Sequence, residues 1–262
     1  MNTPNRTPTR VRHALKFRQL SVVHKQQLTP HMVRITLGGP DLAGFTSPGF
    51  DDHVRVFFPD PATGELILSG GAEDGPRPTM RDYTPRHFDP QAQTLAIDFA
   101  LHDAGAATTW AAQAQVGQTL GVGGPRGSFI LPTEFDGHLL IGDDTALPAI
   151  ARRLGELPAG VPALVLIEVD SPADEQALAS AAQATVVWVH RPGPGARRAA
   201  AAAGAFARPG PAARRHPRLG RLRNPDRQSP AGPPGGRAWR EATVDQGRRL
   251  LAPGQRGHAR PH

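Results

Sequence analysis

The pattern of apolar residues changes once along this chain, near Leu131, and that change limits the folds the chain can adopt. Before it, short runs with alternating apolar residues are separated by Gly and Pro turns, as at residues 32–37, 53–58 and 94–101. Alternation with a period of two is typical of strands with one buried face, and many such strands in succession favour an antiparallel barrel. The sequence therefore predicts a β-barrel domain over residues 12–132.

The second part of the chain alternates apolar strands with helical runs. Residues 138–141, 163–169 and 185–190 form the predicted strands, and the helical pattern covers residues 146–157 and 174–182. This alternation is typical of a parallel, doubly wound α/β sheet that binds a nucleotide. We predict a partial α/β domain over residues 137–191.

The last quarter of the chain has a different composition. Residues 192–262 contain 15 Arg, no Lys and 3 acidic residues, whereas the whole chain has 30 basic and 23 acidic residues. The balance is +12 for this tail and −5 for the rest, so the pI of 11.1 describes the tail alone. With no period and few large apolar residues, the tail is predicted to be disordered.

The composition also limits the class of protein. The chain has no cysteine, which excludes disulfides and thiolate chemistry, and no apolar run approaches the roughly 20 residues of a membrane span. The basic N-terminus lacks the apolar segment of a signal peptide. We expect a cytoplasmic monomer without membrane or nucleic-acid partners.

The segment Arg81-Asp82-Tyr83-Thr84 is the first candidate site. Residues 81–86 are predicted to form a short strand, on which Arg81 and Tyr83 point to the same side. A guanidinium can pair with a pyrophosphate through two hydrogen bonds, and a tyrosine ring can stack on a flavin. The hydroxyl of Thr84 could donate to flavin N5. An ordinary strand with a charged face explains the segment equally well.

A second cluster follows in the run from Asp98 to Trp110. Thr108 and Thr109 lie where a helix should begin, and free backbone N–H groups there form an anion site suited to a pyrophosphate. A capped helix with Trp110 in the core is the alternative. Further candidates are the backbone at Gly105 and Ala107 and the side chains of Asp98 and His102.

A third segment follows a predicted strand and opens a helix, which is where a doubly wound sheet binds a nucleotide phosphate or a nicotinamide. In the alternative interpretation, Asp144 or Thr145 only caps the helix. The residues of this segment are Gly142, Asp143, Asp144, Thr145 and Ala146.

Taken together, these segments resemble the siderophore-interacting proteins, FAD-dependent ferric-siderophore reductases of the ferredoxin–NADP reductase-like superfamily. The resemblance covers residues 11–191. It is carried by RDYTPR (81–86), IDFALHDAGAATTWA (97–111), GPRGSF (124–129), LLIGDDTALPAIARRLGELPAG (139–160) and VVWVHR (186–191).

The resemblance implies a role for each candidate residue. Arg81, Tyr83 and Thr84 would hold FAD, with Tyr83 and Thr84 at the reacting part of the flavin. Asp98, His102 and the turn at residues 105–109 would line the flavin and its pyrophosphate. The residues of the third segment, 142–146, would border the nicotinamide.

The implied reaction is hydride transfer from NADH or NADPH to FAD. Single electrons then reduce Fe(III) in a siderophore, and Fe(II), which such ligands hold poorly, is released. The resemblance needs no protein ligand to a metal. The general alternative is a flavin reductase with another acceptor, and an alternative of another class is a nucleic-acid binder that uses the basic tail.

The tail departs from the family pattern, which should continue with a strand ending in a WVAGE-like turn, a helix and a GYWRRG-like ending. One permitted codon series for residues 239–253, read one base later, encodes GVKRPWIKAAGYWR, which contains that ending. We therefore predict a frameshift between residues 191 and 216. Without the later strands, part of the nicotinamide site would be lost and activity would be impaired.

Overall fold

The structure is a computed structural model that describes residues 6–67, 78–102, 105–192 and 240–243. Within these ranges, thirteen strands and two α-helices alternate with loops and two short 3-10 turns. In chain order they are β1 (Thr9–Arg12), β2 (Phe17–Thr29), β3 (Met32–Gly38), β4 (Val54–Phe58), β5 (Thr79–Tyr83), β6 (Pro85–Asp89), β7 (Thr94–Ala100), α1 (Ala106–Gln113), β8 (Thr119–Gly123), β9 (Gly127–Ile130), β10 (His138–Asp143), α2 (Leu147–Glu156), β11 (Pro162–Val169), β12 (Gln183–His190) and β13 (Arg240–Thr243).

Seven of these strands form one antiparallel sheet in the order β5-β4-β8-β2-β3-β7-β6. Its two edge strands are consecutive in the chain, since β5 ends at Tyr83 and β6 begins at Pro85. A single residue, Thr84, joins them, so the sheet has to curl until its opposite edges meet. The predicted antiparallel barrel is confirmed, and its seam lies at the predicted flavin segment.

The barrel interior is filled by the alternate apolar residues that the sequence pattern indicated. Leu95, Ile97 and Phe99 of β7 are at most 1% exposed. They pack with the inward residues of β2, β3, β4 and β8, and α1 contributes Ala107 and Ala111 to the same core. Burial of alternate strand residues on one face therefore stabilises the barrel.

A short ribbon extends the barrel at its end. Strand β1 pairs antiparallel with β9, with Arg12 opposite Gly127. A side chain at position 127 would lie 2.6 Å from the Val11 carbonyl oxygen, so the two backbones approach closely because this residue is glycine. Strand β1 thus begins at Thr9, before the predicted barrel boundary at residue 12.

The α/β part contains three parallel strands in the order β12-β11-β10. Helix α2 follows β10 and packs its apolar residues against the sheet, including Ile150 and Leu154, which are fully buried. Strand β13 lies antiparallel against the other edge of β10. The predicted parallel α/β arrangement is confirmed for β10, α2, β11 and β12.

Two predictions differ from the structure. The helix predicted over residues 174–182 is wrong, because Pro172–Asp174 forms a 3-10 turn and no helix follows before β12. Asp174 is held there by His31 of the barrel and by Ser171, contacts that the local sequence pattern does not contain. The single strand expected around residues 81–86 is divided in two at Thr84, where the sheet turns its edge.

The predicted disordered tail lies outside the described residues except for β13. Residues 240–243 form a strand where the sequence predicted disorder. They pair with the open edge of β10, whose unpaired backbone groups can bond to an extended segment without a specific side-chain pattern. In the described part of the chain, no helix is long and apolar enough to cross a membrane.

Candidate functional site

The predicted flavin segment lies at the seam of the barrel. In the pairing of β5 with β4, Tyr83 faces Val54 and Arg81 faces Val56. Val54 and Val56 are fully buried in the barrel core. Arg81 and Tyr83 therefore share the inner face of the sheet, as expected for alternate residues of one strand, while Asp82 lies on the outer face and pairs with Arg55 at 2.8 Å.

Tyr83 is part of an aromatic cluster at this end of the barrel. Its ring centroid lies 4.4 Å from that of Phe99 and 6.3 Å from that of Phe58. Burial raises the pKa of the Tyr83 hydroxyl to about 12, against the opposing effect of the nearby Arg81 charge. The phenol is therefore neutral at physiological pH, and the side chain is half-buried.

Trp110 of α1 completes the cluster. Its ring lies 5.6 Å from Phe58 and 6.1 Å from Phe99. The indole Nε1 is buried and has no hydrogen-bond acceptor among the residues that the structure describes. A buried N–H without a partner costs free energy, so an acceptor outside the described residues, such as a ligand, would stabilise it.

Arg81 lies on the same face of β5 as Tyr83 and is exposed. Within the described ranges, its guanidinium makes one hydrogen bond, from an Nη to the carbonyl oxygen of the preceding Met80 at 2.8 Å. The remaining donors of the fork face solvent and can bind an anion. Thr84, which follows Tyr83 at the seam, is half-buried.

Helix α1 begins next to this face and contacts β5, β4 and β7. Its first backbone bond runs from Thr109 N to Gly105 O at 2.8 Å. The N–H groups of residues 106–108 precede that bond and have no acceptor within the helix. Ala107 is buried in the barrel core, Thr108 is half-buried and Thr109 is exposed. The start of the helix therefore lies between the barrel core and solvent.

Asp98 does not share this face. It lies between the inward-pointing Ile97 and Phe99, so its side chain is on the outer side of β7. There it accepts two hydrogen bonds from Arg34, at 2.6 and 2.8 Å, and lies 3.7 Å from the Arg86 guanidinium. The structure therefore separates Asp98 from Tyr83, with which the sequence had grouped it.

His102 meets the α/β part instead. Its Nε2 lies 3.3 Å from Asp144 Oδ1. Asp144 also accepts hydrogen bonds from both Nη atoms of Arg191, at 2.8 and 3.2 Å. The second predicted cluster and the third segment are thus in direct contact, and Arg191, which the sequence analysis assigned no role, joins them.

Electrostatics in this group follow from the contacts. The hydrogen bond to Asp144 raises the pKa of His102, against burial and the Arg191 charge. Burial alone would raise the pKa of Asp144, but hydrogen bonds from His102 and Arg191 lower it to about 2. Asp144 is therefore a carboxylate throughout the physiological range, although its side chain is only 7% exposed.

The remaining residues of the third segment form the turn after β10. Asp143 Oδ1 accepts hydrogen bonds from the backbone N and the hydroxyl of Thr145. Ala146 is the N-cap of α2 and no side chain caps this helix, so the alternative in which Asp144 or Thr145 is the cap is wrong. Gly142 is the penultimate residue of β10 and directly precedes Asp143.

The structure also shows two neighbouring clefts, a larger one of about 410 Å³ between β6 and α2 and a smaller one of about 300 Å³ lined by Arg34 and the predicted residue Asp98. Arg86 and Ala151 line both. Arg152 borders the larger cleft and donates hydrogen bonds to the carbonyl oxygens of Ser47 and Pro85, at 2.8 Å each. No sequence signal could have grouped these residues, since they come from distant parts of the chain. Among the described residues, no group of His, Cys, Asp and Glu could hold a metal ion.

A curled antiparallel barrel followed by a parallel α/β sheet, with the candidate site at their junction, is the architecture of ferredoxin reductase-like proteins. The ferredoxin reductase of carbazole 1,9a-dioxygenase superposes with a TM-score of 0.50 over 72% of this chain and 55% of that one, at 16% identity. At that identity the comparison shows a common fold alone.

The sequence comparisons identify the family. Residues 21–129 match the model of the siderophore-interacting FAD-binding domain, and residues 135–216 match that of the siderophore-interacting protein. The crystal structure of a siderophore utilization protein from T. fusca superposes with a TM-score of 0.67 at 45% identity, over 71% of this chain and 74% of that one. The chain belongs to the siderophore-interacting protein family, as the resemblance predicted.

Among curated relatives, the NADPH-dependent ferric-chelate reductase of Escherichia coli K12 is 45% identical over 162 residues. That match covers 60% of this chain and 63% of the relative. The chain thus spans less than two thirds of the length of this relative.

Proposed function

We propose that this chain is an FAD-dependent oxidoreductase that uses NADH or NADPH to reduce ferric siderophores and release Fe(II). The observation that carries the proposal is the common face of Arg81, Tyr83 and the start of α1, within the region that matches a siderophore-interacting FAD-binding domain. The relative from E. coli, named an NADPH-dependent ferric-chelate reductase, supports the same reaction class.

The residues at the barrel seam fit a flavin nucleotide. The free donors of Arg81 and the N–H groups at the start of α1 suit the two phosphates. The half-buried ring of Tyr83 offers an aromatic surface next to them. Among the described residues, the buried indole N–H of Trp110 has no acceptor, so it is a further donor that a ligand could use.

In this proposal each side chain has a separate role. Arg81 neutralises phosphate charge, Tyr83 supports the flavin ring, and the Thr84 hydroxyl donates a hydrogen bond near N5. Gly105, Ala107, Thr108 and Thr109 provide the phosphate turn, with His102 beside it. When bound, FAD accepts a hydride and passes on single electrons, which is the chemistry that reduction of Fe(III) by NAD(P)H requires.

The α/β part would receive the nicotinamide at the carboxyl end of β10, at residues 142–146, where doubly wound sheets bind nucleotides. The predicted frameshift in the tail would remove the strands that should follow β12 and impair this half of the site. Sequencing the gene across codons 185–220 tests that prediction, because an intact reading frame there would contradict it. Cytoplasmic location and a monomeric state remain predictions.

Flavin binding by single variants tests the proposal. Arg81→Ala removes a charged, bidentate donor worth about 1.5–3 kcal/mol, so the Kd for FAD should rise about 10- to 100-fold. Tyr83→Ala should also weaken binding, whereas Tyr83→Phe keeps the ring and should retain it. Quenching of flavin fluorescence on titration gives each Kd.

The matched control is Arg12→Ala, which removes an exposed arginine of β1, a strand that pairs with β9 and not with β5 or β6. Circular dichroism establishes that each variant is folded. Wild-type affinity for FAD in both Arg81→Ala and Tyr83→Ala would overturn the site.

With the flavin-loaded protein, faster NAD(P)H oxidation with a ferric siderophore than with free flavin or a dye supports the named substrate. The reverse order indicates a general flavin reductase.

A further inference from the structure

A continuous set of charged contacts joins the barrel to the α/β part at the candidate site. His102 of the barrel lies 3.3 Å from Asp144, and Asp144 is held by Arg191. Arg191 donates a further hydrogen bond to Asp170 at 2.8 Å. Three separate segments, namely the ends of β7 and β12 and the turn after β10, therefore converge on one buried carboxylate.

Asp144 is the centre of this set. Its side chain is 7% exposed, and both of its oxygens are engaged, Oδ1 by His102 and Arg191 and Oδ2 by Arg191. Arg191 is 15% exposed and His102 39% exposed. Asp144 has a defined position because it accepts hydrogen bonds from both Nη atoms of Arg191 and is contacted by His102 Nε2, and a buried carboxylate without partners would be an uncompensated charge.

The positions of the partners in the chain give the contact its significance. His102 lies three residues before Gly105, where the phosphate turn of α1 begins. Asp144 directly follows Asp143, the last residue of β10, at the edge of the sheet where the nicotinamide would bind. The contact therefore links the proposed flavin-phosphate turn to the proposed nicotinamide edge through a single ion pair.

We propose that Asp144 is a positioning residue, which holds His102 and thereby sets the separation between the flavin turn of the barrel and the nicotinamide edge of the α/β part. This inference rests on the proposed function for its purpose, while the contact itself is independent of any cofactor. Hydride transfer is sensitive to separation, since a displacement of about 1 Å can cost roughly 100-fold in rate.

A second histidine–carboxylate contact also joins the barrel to the α/β part. His31, in the turn between β2 and β3, lies 3.0 Å from Asp174 and 3.8 Å from Asp170. Arg152 provides a third link between the two parts. Because these contacts hold the parts together elsewhere, loss of Asp144 should change the local separation without dissociating the domains.

The charged groups that act on His102 are few. Asp144 and Asp143 favour its protonated form and Arg191 disfavours it. Replacing Asp144 by Asn removes the largest effect that raises the pKa of His102 and leaves burial and the Arg191 charge against the smaller effect of Asp143, so this pKa should fall. An NMR titration of the His102 ring protons measures this change in protein without cofactor.

Distance measurements test the positioning directly. The chain has no cysteine, so spin labels can be placed at Val116→Cys on the barrel and Ala159→Cys after α2, both exposed positions. The Asp144→Asn variant should shift or broaden the label distance, and Asp144→Glu should restore it in part. His102→Gln, which leaves the buried Asp144–Arg191 pair intact, should give the same shift if Asp144→Asn fails to fold.

The matched control is Glu175→Gln. Glu175 pairs with His190 at 2.8 Å, a histidine–carboxylate contact that lies entirely within the α/β part. It should leave the label distance unchanged. An unaltered distance in folded Asp144→Asn and His102→Gln, or an unaltered His102 pKa in Asp144→Asn, would overturn the proposal.

A kinetic measurement separates this proposal from the proposed function. With FAD bound, Asp144→Asn should lower the rate of flavin reduction by NAD(P)H at least tenfold while the Kd for FAD stays within about twofold, since Asp144 does not belong to the flavin face. A wild-type rate in the variant would contradict the positioning role. A wild-type chain that binds no FAD would refute the proposed function, and the cofactor-free distances and pKa would still decide the role of Asp144.

Discussion

The acid sensitivity of the chain should depend measurably on Asp144. Its pKa is lowered from the ordinary 3.8 to about 2, chiefly by hydrogen bonds from His102 and Arg191 that overcome the effect of burial. This lowering corresponds to about 2 kcal/mol of folding free energy at roughly 1.36 kcal/mol per pH unit. Because the folded pKa is lowered, this stability is fully present above about pH 4 and is lost as the pH falls towards 2.

Asp144→Asn removes the charge, so the difference in free energy of unfolding between wild type and variant should be about 2 kcal/mol near pH 5.5. At that pH His102, whose pKa is raised, is protonated and its ion pair is complete. The His102 contribution has the opposite sign with pH, since it is present at low pH and is lost as the pH rises through the raised pKa. Measurement near pH 5.5 therefore isolates the carboxylate.

Urea unfolding followed by tryptophan fluorescence, at several pH values between about 5.5 and 2.5, gives the required free energies. Other carboxylates with lowered pKa values, such as Asp82 and Asp174, titrate in both proteins and cancel in the difference. The difference should decline towards zero as the pH falls. A difference that is absent near pH 5.5, or that does not change with pH, would refute the reasoning.

Two further substitutions test the packing around the site by urea unfolding at neutral pH. Arg152→Ala removes the donor to the Ser47 and Pro85 carbonyl oxygens and should lower the free energy of unfolding by about 3–5 kcal/mol. Arg34→Ala leaves Asp98, 4% exposed, without its bidentate partner and should cost a similar amount. Its counterpart Arg55→Ala breaks an exposed pair and should cost less than about 1 kcal/mol; equal losses in the two would contradict the burial argument.

Much of the site could be predicted from the sequence because its parts are local. The alternation in residues 94–101 identified the inward side chains of β7, and the helix after Gly105 begins at Ala106, two residues before its predicted start at Thr108. The segment at Arg81 to Thr84 was recognised through side chains whose chemistry depends only on their spacing along one strand. The sheet order places this segment at the barrel seam.

Other features depend on contacts that no local pattern contains. The helix predicted over residues 174–182 does not form, because Asp174 bonds to His31, a residue 143 positions away. Asp98 was grouped with the flavin residues because it lies near them in the chain. Strand alternation turns it to the opposite face, where Arg34 holds it.

The sequence by itself determined the order of the two folding units, the strand that carries Arg81 and Tyr83, and the membership of a family, because strand period, helix period and motif spacing are properties of neighbouring residues. Only the tertiary structure decided that the sheet closes at Thr84 and that His102, Asp144 and Arg191 meet. These three residues are separated by more than forty positions each. Their contact exists because the curled sheet and the parallel sheet are packed together, and because a buried charge requires a partner of opposite charge.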